Sequence, residues 1–487
     1  MKPFLFAVVW PVVFFSMQAC TTSASRRPEQ KKQPLPNIIY IYADDLGYGE
    51  LGCYGQTKIK TPHLDQMAAE GMRFTQHYTS TPVCAPARAM LLTGLHGGHS
   101  TIRGNVELGG FPDSAERGQA PLHSKAVTIA DLLKKKGYGT GIIGKWGLGM
   151  ANTEGSPNLH GFDYSYGYLD QKQAHNYYPT HLWENGRWDS LHQPFIDVHR
   201  RLDPATATAA DFDYFKGTTY APDKMTEKAE QFIRNRKEQP FFLYLPYTIP
   251  HASLQVPDAW VDMYRGQFNE QPYYGQQGYA ASRYPLSTYA GMISYLDAQV
   301  GKIMALLKEL GLDENTLLFF SSDNGATFNG GVDAAFFNSA AGLRGLKMDL
   351  YEGGIRMPFL ARWPGKIKAG EVSGLVSAQY DLMATLAELT GVEAPPNDGV
   401  SFLPTLLGKP ERQPTRDFLY FEYPEKGGQR AIRMGNWKAV KTGLKKDPSA
   451  PWQLYDLSED PYETRDLSLR HPEILRQLDG IVAKELR

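Results

Sequence analysis

Short runs of apolar residues without polar alternation mark the strands predicted in the first 410 residues. These runs lie at residues 37–43, 138–144, 241–247 and 316–322. Continuous apolar runs of this length are typical of strands buried on both faces of a sheet. Between them, residues 128–136 and 287–310 carry apolar side chains at helical spacing. Strands that alternate with helices predict an α/β fold with a large, mostly parallel central sheet flanked by helices.

The pattern changes near residue 411, where short runs alternate apolar and polar residues. The sequences DFLYFEY, RAIRMGNWKAVK and PWQLYDL are separated by turn residues, and a helical pattern follows from His471 to Leu486. Alternation of this kind is typical of antiparallel strands with one solvent face. We therefore predict a catalytic domain at 37–410 and a smaller C-terminal subdomain at 411–487, built on an antiparallel sheet.

The first 36 residues have the character of a targeting segment. Residues 3–17 form an apolar run after Lys2 that is shorter than a typical transmembrane helix and is typical of a secretory signal. The run ends in Gln18-Ala19-Cys20 before a polar, proline-rich stretch, so residues 1–20 resemble a bacterial lipoprotein signal and 21–36 a linker. An ordinary cleaved signal is the alternative. We expect export to the periplasm or cell surface, with membrane contact only through a lipid on Cys20.

Composition narrows the class of protein further. The 487 residues include 51 Lys and Arg against 52 Asp and Glu, a net charge of −1 that offers no bulk positive field for nucleic acid. A mean hydropathy of −0.41 excludes a multispanning membrane protein. With Cys20 assigned to the signal, only Cys53 and Cys84 remain. An exported protein can pair two such cysteines, although they form no disulfide framework.

Acidic and amide side chains follow two of the predicted buried strands. Asp44 and Asp45 end the first strand, and Asp323 and Asn324 end the strand at 316–322. In α/β sheets ligands bind beyond the carboxyl ends of strands, so the two pairs can converge on one cation. Oxygen ligands favour Ca²⁺, with Mg²⁺ as the alternative, over Zn²⁺. Either pair alone is also a common turn signal.

A third candidate element is the segment that begins at Cys84. Pro86 stands where a helix begins, and Gly94 where it ends. Cys84 would then lie at a helix N-terminus, where free N–H groups favour an anion and Arg88 lies one turn away. The alternative is a buried cysteine ahead of a core helix.

The pattern Cys84-x-Pro86-x-Arg88, followed by AMLLTG, resembles the signature of type I sulfatases of the alkaline phosphatase superfamily. The similarity continues in order through NIIYIYADDLGYGELGCYG, GKWGLG, PHA, SSDNG, LRGLKMDLYEGGIRMP and LYDLSEDPYETRDL, and it spans nearly all of residues 37–487. This resemblance implies an alkaline phosphatase-like fold and the hydrolysis of sulfate monoesters, with a sulfated carbohydrate as the expected substrate.

The resemblance also implies roles for individual residues. A maturation enzyme would oxidise Cys84 to formylglycine, whose hydrate attacks sulfur. The implied metal ligands are Asp44, Asp45, Asp323 and Asn324, together with the modified residue 84. The implied sulfate-binding and proton-donating residues are Arg88, Lys145, His251 and Lys347, of which His251 or Lys347 would protonate the leaving alcohol.

One position departs from the family pattern. Members of the family usually have the sequence GKWHLG, whereas this chain has Gly147 in place of the histidine that would contact the hydrated nucleophile. The histidines considered as substitutes are His96, His99, His123 and His175. For the substrate we expect contacts from His175, Asn176 and Arg344, with an exposed loop as the alternative for His175 and Asn176. GKWGLG combined with HNYYP is similar to bacterial sulfatases that act on galacto-configured sugars.

Two other functions compete with a carbohydrate sulfatase. A phosphate or phosphonate ester hydrolase of the same superfamily would be expected to use Thr or Ser and a second, histidine-rich metal site, so Cys84 counts against it. An inactive glycan-binding homologue at the cell surface is favoured only by Gly147. The intact cysteine, metal ligands and basic residues argue against that loss of activity.

Overall fold

The structure, a computed structural model, describes residues 1–13, 35–109 and 116–485. Residues 1–13 are exposed and contain no helix or strand. Cys20 and most of the predicted linker lie outside the described residues, so the lipoprotein signal stays a prediction. No helix among the described residues has the length and apolarity needed to cross a membrane.

The apolar run at 37–43 forms the central strand of the main sheet, as predicted. Alternate residues of this strand face two separate cores, Ile39 and Ile41 on one side and Ile38 and Tyr40 on the other. The eleven strands that the described residues contribute to this sheet are β1 Asn37–Asp44, β2 Met72–Tyr78, β3 Gly139–Lys145, β4 Tyr164–Tyr168, β5 His181–Glu184, β6 Arg187–Ser190, β7 Phe241–Pro250, β8 Thr316–Ser322, β9 Arg356–Arg362, β10 Glu371–Ser373 and β11 Ser377–Ala378.

The strand order explains how separate chain segments reach one edge of the sheet. The order is β10-β2-β9-β8-β1-β7-β3-β4-β5-β6, with β11 beside β2. Strands β8, β1, β7, β3 and β4 are all parallel to one another. Antiparallel partners appear at β9 and at the β5–β6 end. The predicted mostly parallel sheet is therefore confirmed, and the carboxyl ends of β8, β1, β7 and β3 lie side by side.

Helices cover both faces of this sheet. Their bounds are α1 Pro62–Ala69, α2 Cys84–Thr93, α3 Ile129–Lys134, α4 Ala209–Asp213, α5 Ala221–Arg236, α6 Asp258–Asp262, α7 Pro285–Glu309, α8 Glu352–Ile355, α9 Asp381–Thr390, α10 Leu403–Leu406 and α11 Pro472–Glu485. The predicted helix at 287–310 is α7, which starts two residues earlier because Pro285 suits the first turn. The predicted helix at 128–136 is α3, where Thr128 and Asp131 form a capping box.

The C-terminal strands form the small antiparallel sheet that the sequence predicts. They are β12 Leu419–Tyr423, β13 Gln429–Met434, β14 Trp437–Thr442 and β15 Gln453–Asp456, in that order. Helix α11 contributes Leu478 to the core on one face. Lys438 of β14 is fully buried, with its Nζ 2.9 Å from both Glu352 and Glu463. The part of the chain that begins at Leu35 is one compact unit.

Candidate active site

The carboxyl ends of β1 and β8 bring four oxygen-bearing side chains together. The two strands are parallel neighbours with Ala43 opposite Ser322, so the residues that follow lie at the same level. The Asp45 amide donates to Asp323 Oδ1 at 3.0 Å, and Asn324 Nδ2 donates to Asp45 Oδ1 at 2.7 Å. These residues and Asp44 are fully buried. The geometry that we predicted from two separate strand ends is therefore present.

Basic side chains from two further elements contact the same carboxylates. Arg88, one turn into α2, places Nη2 2.8 Å from Asp323 Oδ2 and 3.4 Å from Asp44 Oδ2. Lys145, the last residue of β3, places Nζ 2.7 Å from Asp44 Oδ2. Arg88 also donates to the Lys145 carbonyl at 2.9 Å, which fixes the guanidinium. Both side chains are buried, so their charges act with little screening from water.

The opposite side of the cluster is formed by His251 and Lys347. His251 follows β7, and its Nε2 is 3.6 Å from Asp45 Oδ2. Its Nδ1 bonds to the Ala252 carbonyl. Lys347 Nζ lies 2.8 Å from Asp45 and 3.6 Å from Cys84 Sγ. Two basic side chains therefore stand beside the residue at position 84.

Cys84 is the first residue of α2 and faces charged groups rather than an apolar core. Its Sγ lies 3.4 Å from Asp44 Oδ1, and the side chain is buried. Burial and the charge of Asp44 raise the thiol pKa well above its ordinary value. Because the thiolate is the reactive form of cysteine, an unmodified thiol here is a poor nucleophile. Cys53 and Cys84 are both free, so the pairing suggested by the sequence is not formed.

The cluster offers ligand atoms for a metal ion. Asp44, Asp45, Cys84 and His251 each offer a ligand atom, and these atoms lie within 4.8 Å of one another. Asn324 Oδ1 is buried without a hydrogen-bond partner among the described residues. Burial and the charge of Asp44 raise the pKa of Asp323 to about 7. A cation held among these oxygens would offset the repulsion between the carboxylates and satisfy the free amide oxygen.

Of the three expected substrate residues, the structure brings only His175 to the cluster. Its ring stacks on His251 with centroids 5.0 Å apart and an interplanar angle of 13°. Asn176 uses its side chain locally, on the Ile196 carbonyl and the Tyr178 amide. The expectation of an exposed loop at this position is also wrong for Asn176, which is buried.

Arg344 makes its hydrogen bonds with the C-terminal segment, so its expected contact with substrate stays a prediction. Its Nη1 donates to the Tyr455 hydroxyl and to the Glu463 carbonyl, both at 2.9 Å. The guanidinium carbon also lies 3.8 Å from the centroid of the Tyr351 ring. These contacts hold Arg344 against the C-terminal segment, because all of its partners belong to that segment or to the chain just before α8.

Sequence reasoning missed Tyr279. Its ring centroid lies 5.1 Å from that of His175 and 6.0 Å from that of His251. The residue stands in a long segment without a motif, between α6 and α7, so no local signal marks it. Tyr279 and His175 together form an aromatic wall next to His251.

The histidines proposed to replace the missing side chain at Gly147 lie mostly elsewhere. His96 Nε2 is 2.9 Å from Glu485, and His99 Nδ1 is 2.9 Å from Asp398. His123 is exposed and accepts a hydrogen bond from the Lys125 amide. The side chain that adjoins Gly147 is instead the amide of Gln171, which no sequence motif marks. A Cβ added at Gly147 would lie 3.0 Å from Gln171 Cδ.

Comparison with protein families identifies a matching group over most of the chain. A family profile described as "Sulfatase" matches residues 36–392. A second profile, described as "N-sulphoglucosamine sulphohydrolase, C-terminal", matches residues 346–483. The two matches together cover the main sheet and the small C-terminal sheet.

Individual relatives share the full length of the fold. The N-acetylgalactosamine-6-O-sulfatase of Bacteroides thetaiotaomicron is 31% identical and covers 96% of each chain. Human arylsulfatase A is 33% identical over 91% of this chain and 86% of its own. Among solved structures, Ps i-CgsB in complex with k-i-k-neocarrahexaose superposes with a TM-score of 0.75 at 29% identity, covering 92% of each chain.

Proposed function

The chain belongs to the sulfatase family, whose members hydrolyse sulfuric esters, and from this premise we propose that it is an exported, formylglycine- and Ca²⁺-dependent sulfatase of O-sulfated carbohydrate. The observation that carries the proposal is the environment of Cys84. Its sulfur lies 3.4 Å from a carboxylate of the candidate metal site and 3.6 Å from the Lys347 ammonium. A structural cysteine requires neither neighbour.

The environment of position 84 supports a formylglycine as the nucleophile, formed from the cysteine by a maturation enzyme. The raised thiol pKa makes Cys84 itself a poor nucleophile. A hydrated aldehyde supplies two hydroxyls. One hydroxyl oxygen forms a bond to sulfur while the bond from sulfur to the ester oxygen breaks. The second hydroxyl then loses its proton, the carbonyl re-forms, and sulfate leaves from the same carbon.

The surrounding residues have distinct tasks in this proposal. Asp44, Asp45, Asp323 and Asn324 hold the cation, which supplies positive charge to the sulfate oxygens when bound. Arg88 and Lys145 are held rigidly by hydrogen bonds to carboxylates, so they stabilise developing charge with little reorganisation. The side of the cluster formed by His251 and Lys347 receives the leaving alcohol.

A sugar as the alcohol is supported by the named relatives and by the rings next to His251. One relative is named as an N-acetylgalactosamine-6-O-sulfatase, and a solved neighbour at 29% identity contains a neocarrahexaose. His175 stacks on His251, with the Tyr279 ring tilted beside it, and the face of an aromatic ring suits the C–H face of a sugar. We therefore propose a galacto-configured sugar sulfate as the substrate.

The test is production of the protein with and without a formylglycine-generating enzyme. Modification makes the peptide that contains residue 84 about 18 Da lighter, a covalent change visible by mass spectrometry. We expect desulfation of monosulfated galacto-sugars only by the modified protein, and none by Cys84→Ala. Faster turnover of an aryl phosphate than of an aryl sulfate would instead favour a phosphate esterase. Binding of sulfated glycans without turnover by modified protein would indicate an inactive homologue.

Export is a separate part of the proposal. It is supported by the apolar run at residues 3–17 and by Cys20 ahead of a polar stretch. We expect the protein to sediment with membranes and Cys20→Ser to release it into the soluble exported fraction. Recovery of the unchanged protein in the cytoplasm would contradict the signal.

A further inference from the structure

The space beside Gly147 is filled by the side chain of Gln171. Gly147 follows β3 by two residues, so it lies next to Lys145, whose Nζ contacts the carboxylate cluster. A Cβ at Gly147 would meet Gln171 Cδ at 3.0 Å, Nε2 at 3.1 Å and Cγ at 3.2 Å. Because those distances are tighter than ordinary contacts, a larger side chain at position 147 would force the Gln171 side chain to shift from its present position.

A hydrogen-bond chain connects Gln171 to the start of α2. Asn105 Oδ1 accepts from the Ala85 amide at 2.9 Å, and Gln171 Nε2 donates to the same Oδ1 at 3.3 Å. Ala85 is the residue immediately after Cys84. The Gln171 amide is therefore one side chain removed from the backbone of the proposed nucleophile.

The same hydrogen bonds determine the orientation of the Gln171 amide. The Ala85 N–H can only donate, so the Asn105 atom that it contacts is the oxygen. The Gln171 atom that contacts this oxygen must then be the nitrogen. Its Oε1 points elsewhere, is buried, and has no hydrogen-bond partner among the described residues. A buried amide oxygen without a partner is unfavourable, and a hydroxyl bound there would remove that cost.

The loop that carries Gln171 is built to hold this position. The Asp170 carboxylate accepts from the amides of Lys172, Gln173, Arg117 and Gly118 at 2.6–3.0 Å. Four bonds from one buried carboxylate fix the turn on both sides of Gln171. The orientation of its side chain therefore follows from the fold rather than from solvent.

We infer that Gln171 is a further catalytic residue: its Oε1 accepts a hydrogen bond from a hydroxyl of the hydrated residue 84. A carboxamide oxygen only accepts, so it cannot bind the oxygens of a sulfate ester, whereas a hydroxyl of the hydrated residue 84 can donate to it. This inference rests on the proposed formylglycine mechanism. The contact orients the attacking hydroxyl, so its loss lowers kcat and leaves KM nearly unchanged.

The experiment compares Gln171→Met with Gln173→Ala in fully modified protein. Met keeps the length of the side chain and removes its hydrogen bonds. Gln173 is a matched control, since it lies on the same loop, is also buried, and also has a free Oε1, but its Nε2 contacts His181 instead. We expect kcat on a sugar sulfate to fall roughly tenfold or more for Gln171→Met. Gln173→Ala should stay within about twofold of wild type by the same reasoning.

Four results would separate the possible failures. Wild-type protein that lacks formylglycine or sulfatase activity would overturn the proposed function itself. Modified, active wild type with unchanged kcat in both Gln171→Met and Gln171→Ala would overturn only this inference. A change confined to KM would also overturn only this inference, as would an equal loss of kcat in Gln173→Ala.

A double-mutant cycle with Gly147→His gives a second readout. The added side chain presses on Gln171 in the wild-type background, whereas Gln171→Ala removes all three contacting atoms. The positive φ of 71° at Gly147 strains the added side chain equally in both backgrounds. We therefore expect Gly147→His to lower kcat less in the Gln171→Ala background than in the wild type. Additive losses in kcat would contradict the shared space and the inference with it.

Discussion

The assignment of the proton donor gives the sharpest prediction. His251 Nδ1 bonds to the Ala252 carbonyl, so the ring proton resides there and Nε2 is left as an acceptor facing Asp45. Lys347 keeps its ammonium between Asp45 and position 84. Burial lowers the pKa of Lys347, but the combined charges of Asp45, position 84 and Asp44 outweigh it and raise the pKa well above its usual range. We therefore expect Lys347 to protonate the leaving alcohol.

The size of the effect depends on the leaving group. A sugar alkoxide is far more basic than a nitrophenolate, so it requires a proton donor that the aryl ester does not. General-acid help is typically worth about 10²–10⁴-fold, or about 2.7–5.4 kcal/mol. Lys347→Ala should therefore reduce kcat/KM by about 10²–10⁴ more on a sugar sulfate than on 4-nitrophenyl sulfate. His251→Ala should reduce both by similar factors, because its Nε2 carries no proton to give to the leaving group.

Stability must be separated from chemistry in this test. Lys347→Ala leaves Asp45 buried with the Asn324 amide at 2.7 Å and His251 at 3.6 Å, and breaking a buried pair costs about 3–5 kcal/mol. The two substrates are compared within one variant, so loss of folded protein cancels in their ratio. Lys426→Ala serves as control, since Lys426 pairs with Asp349 at 2.8 Å in an exposed position. Equal losses of Lys347→Ala on both substrates would refute the assignment.

Three further predictions concern the metal and the stability of the fold. Asp323→Ala should lose both bound Ca²⁺ and turnover, as measured by elemental analysis and by the rate of desulfation. Full activity in metal-free protein would contradict the proposed metal site. Lys438→Met should lower the free energy of unfolding by about 3–5 kcal/mol, because it leaves Glu352 and Glu463 buried without their shared cation. Denaturant titration measures this free energy, and a change below about 1 kcal/mol would contradict the prediction. Burial lowers the pKa of His77 to about 3, against 6.5 in the unfolded chain, so the unfolded state binds more protons between these pH values and stability should fall as pH drops from 6.5 toward 3. His77→Gln should flatten this pH dependence of Tm, and an unchanged slope would contradict the prediction.

Much of the fold could be predicted because its central strands have a strong local signal. Strands β1, β7 and β8 are continuous apolar runs, and burial on both faces requires such composition. Strand β6, with the sequence RWDS, is mostly exposed and only four residues long, so no pattern marks it. The antiparallel edge of the sheet therefore became visible only in the structure.

The site was predictable to the extent that its residues follow strands. Asp44 and Asp323 end neighbouring parallel strands, and this local property is enough to bring them together. The contacts of Arg344 were not predictable, for the opposite reason. Its partners, Tyr455 and Glu463, are more than 100 residues away, and nothing near Arg344 in the sequence shows these hydrogen bonds.

The case of Gly147 shows how a missing side chain can be replaced by one of different chemistry. A search for a substitute among histidines assumed that the same group must return, whereas the structure fills the space with a carboxamide. A carboxamide does not titrate, so the proposed contact to residue 84 would have the same strength at every pH at which the fold survives. A histidine at that place would lose its acceptor function on protonation near its pKa. The acid limb of the pH–rate profile should therefore contain no ionisation from this contact, and introducing Gly147→His together with Gln171→Ala should add one.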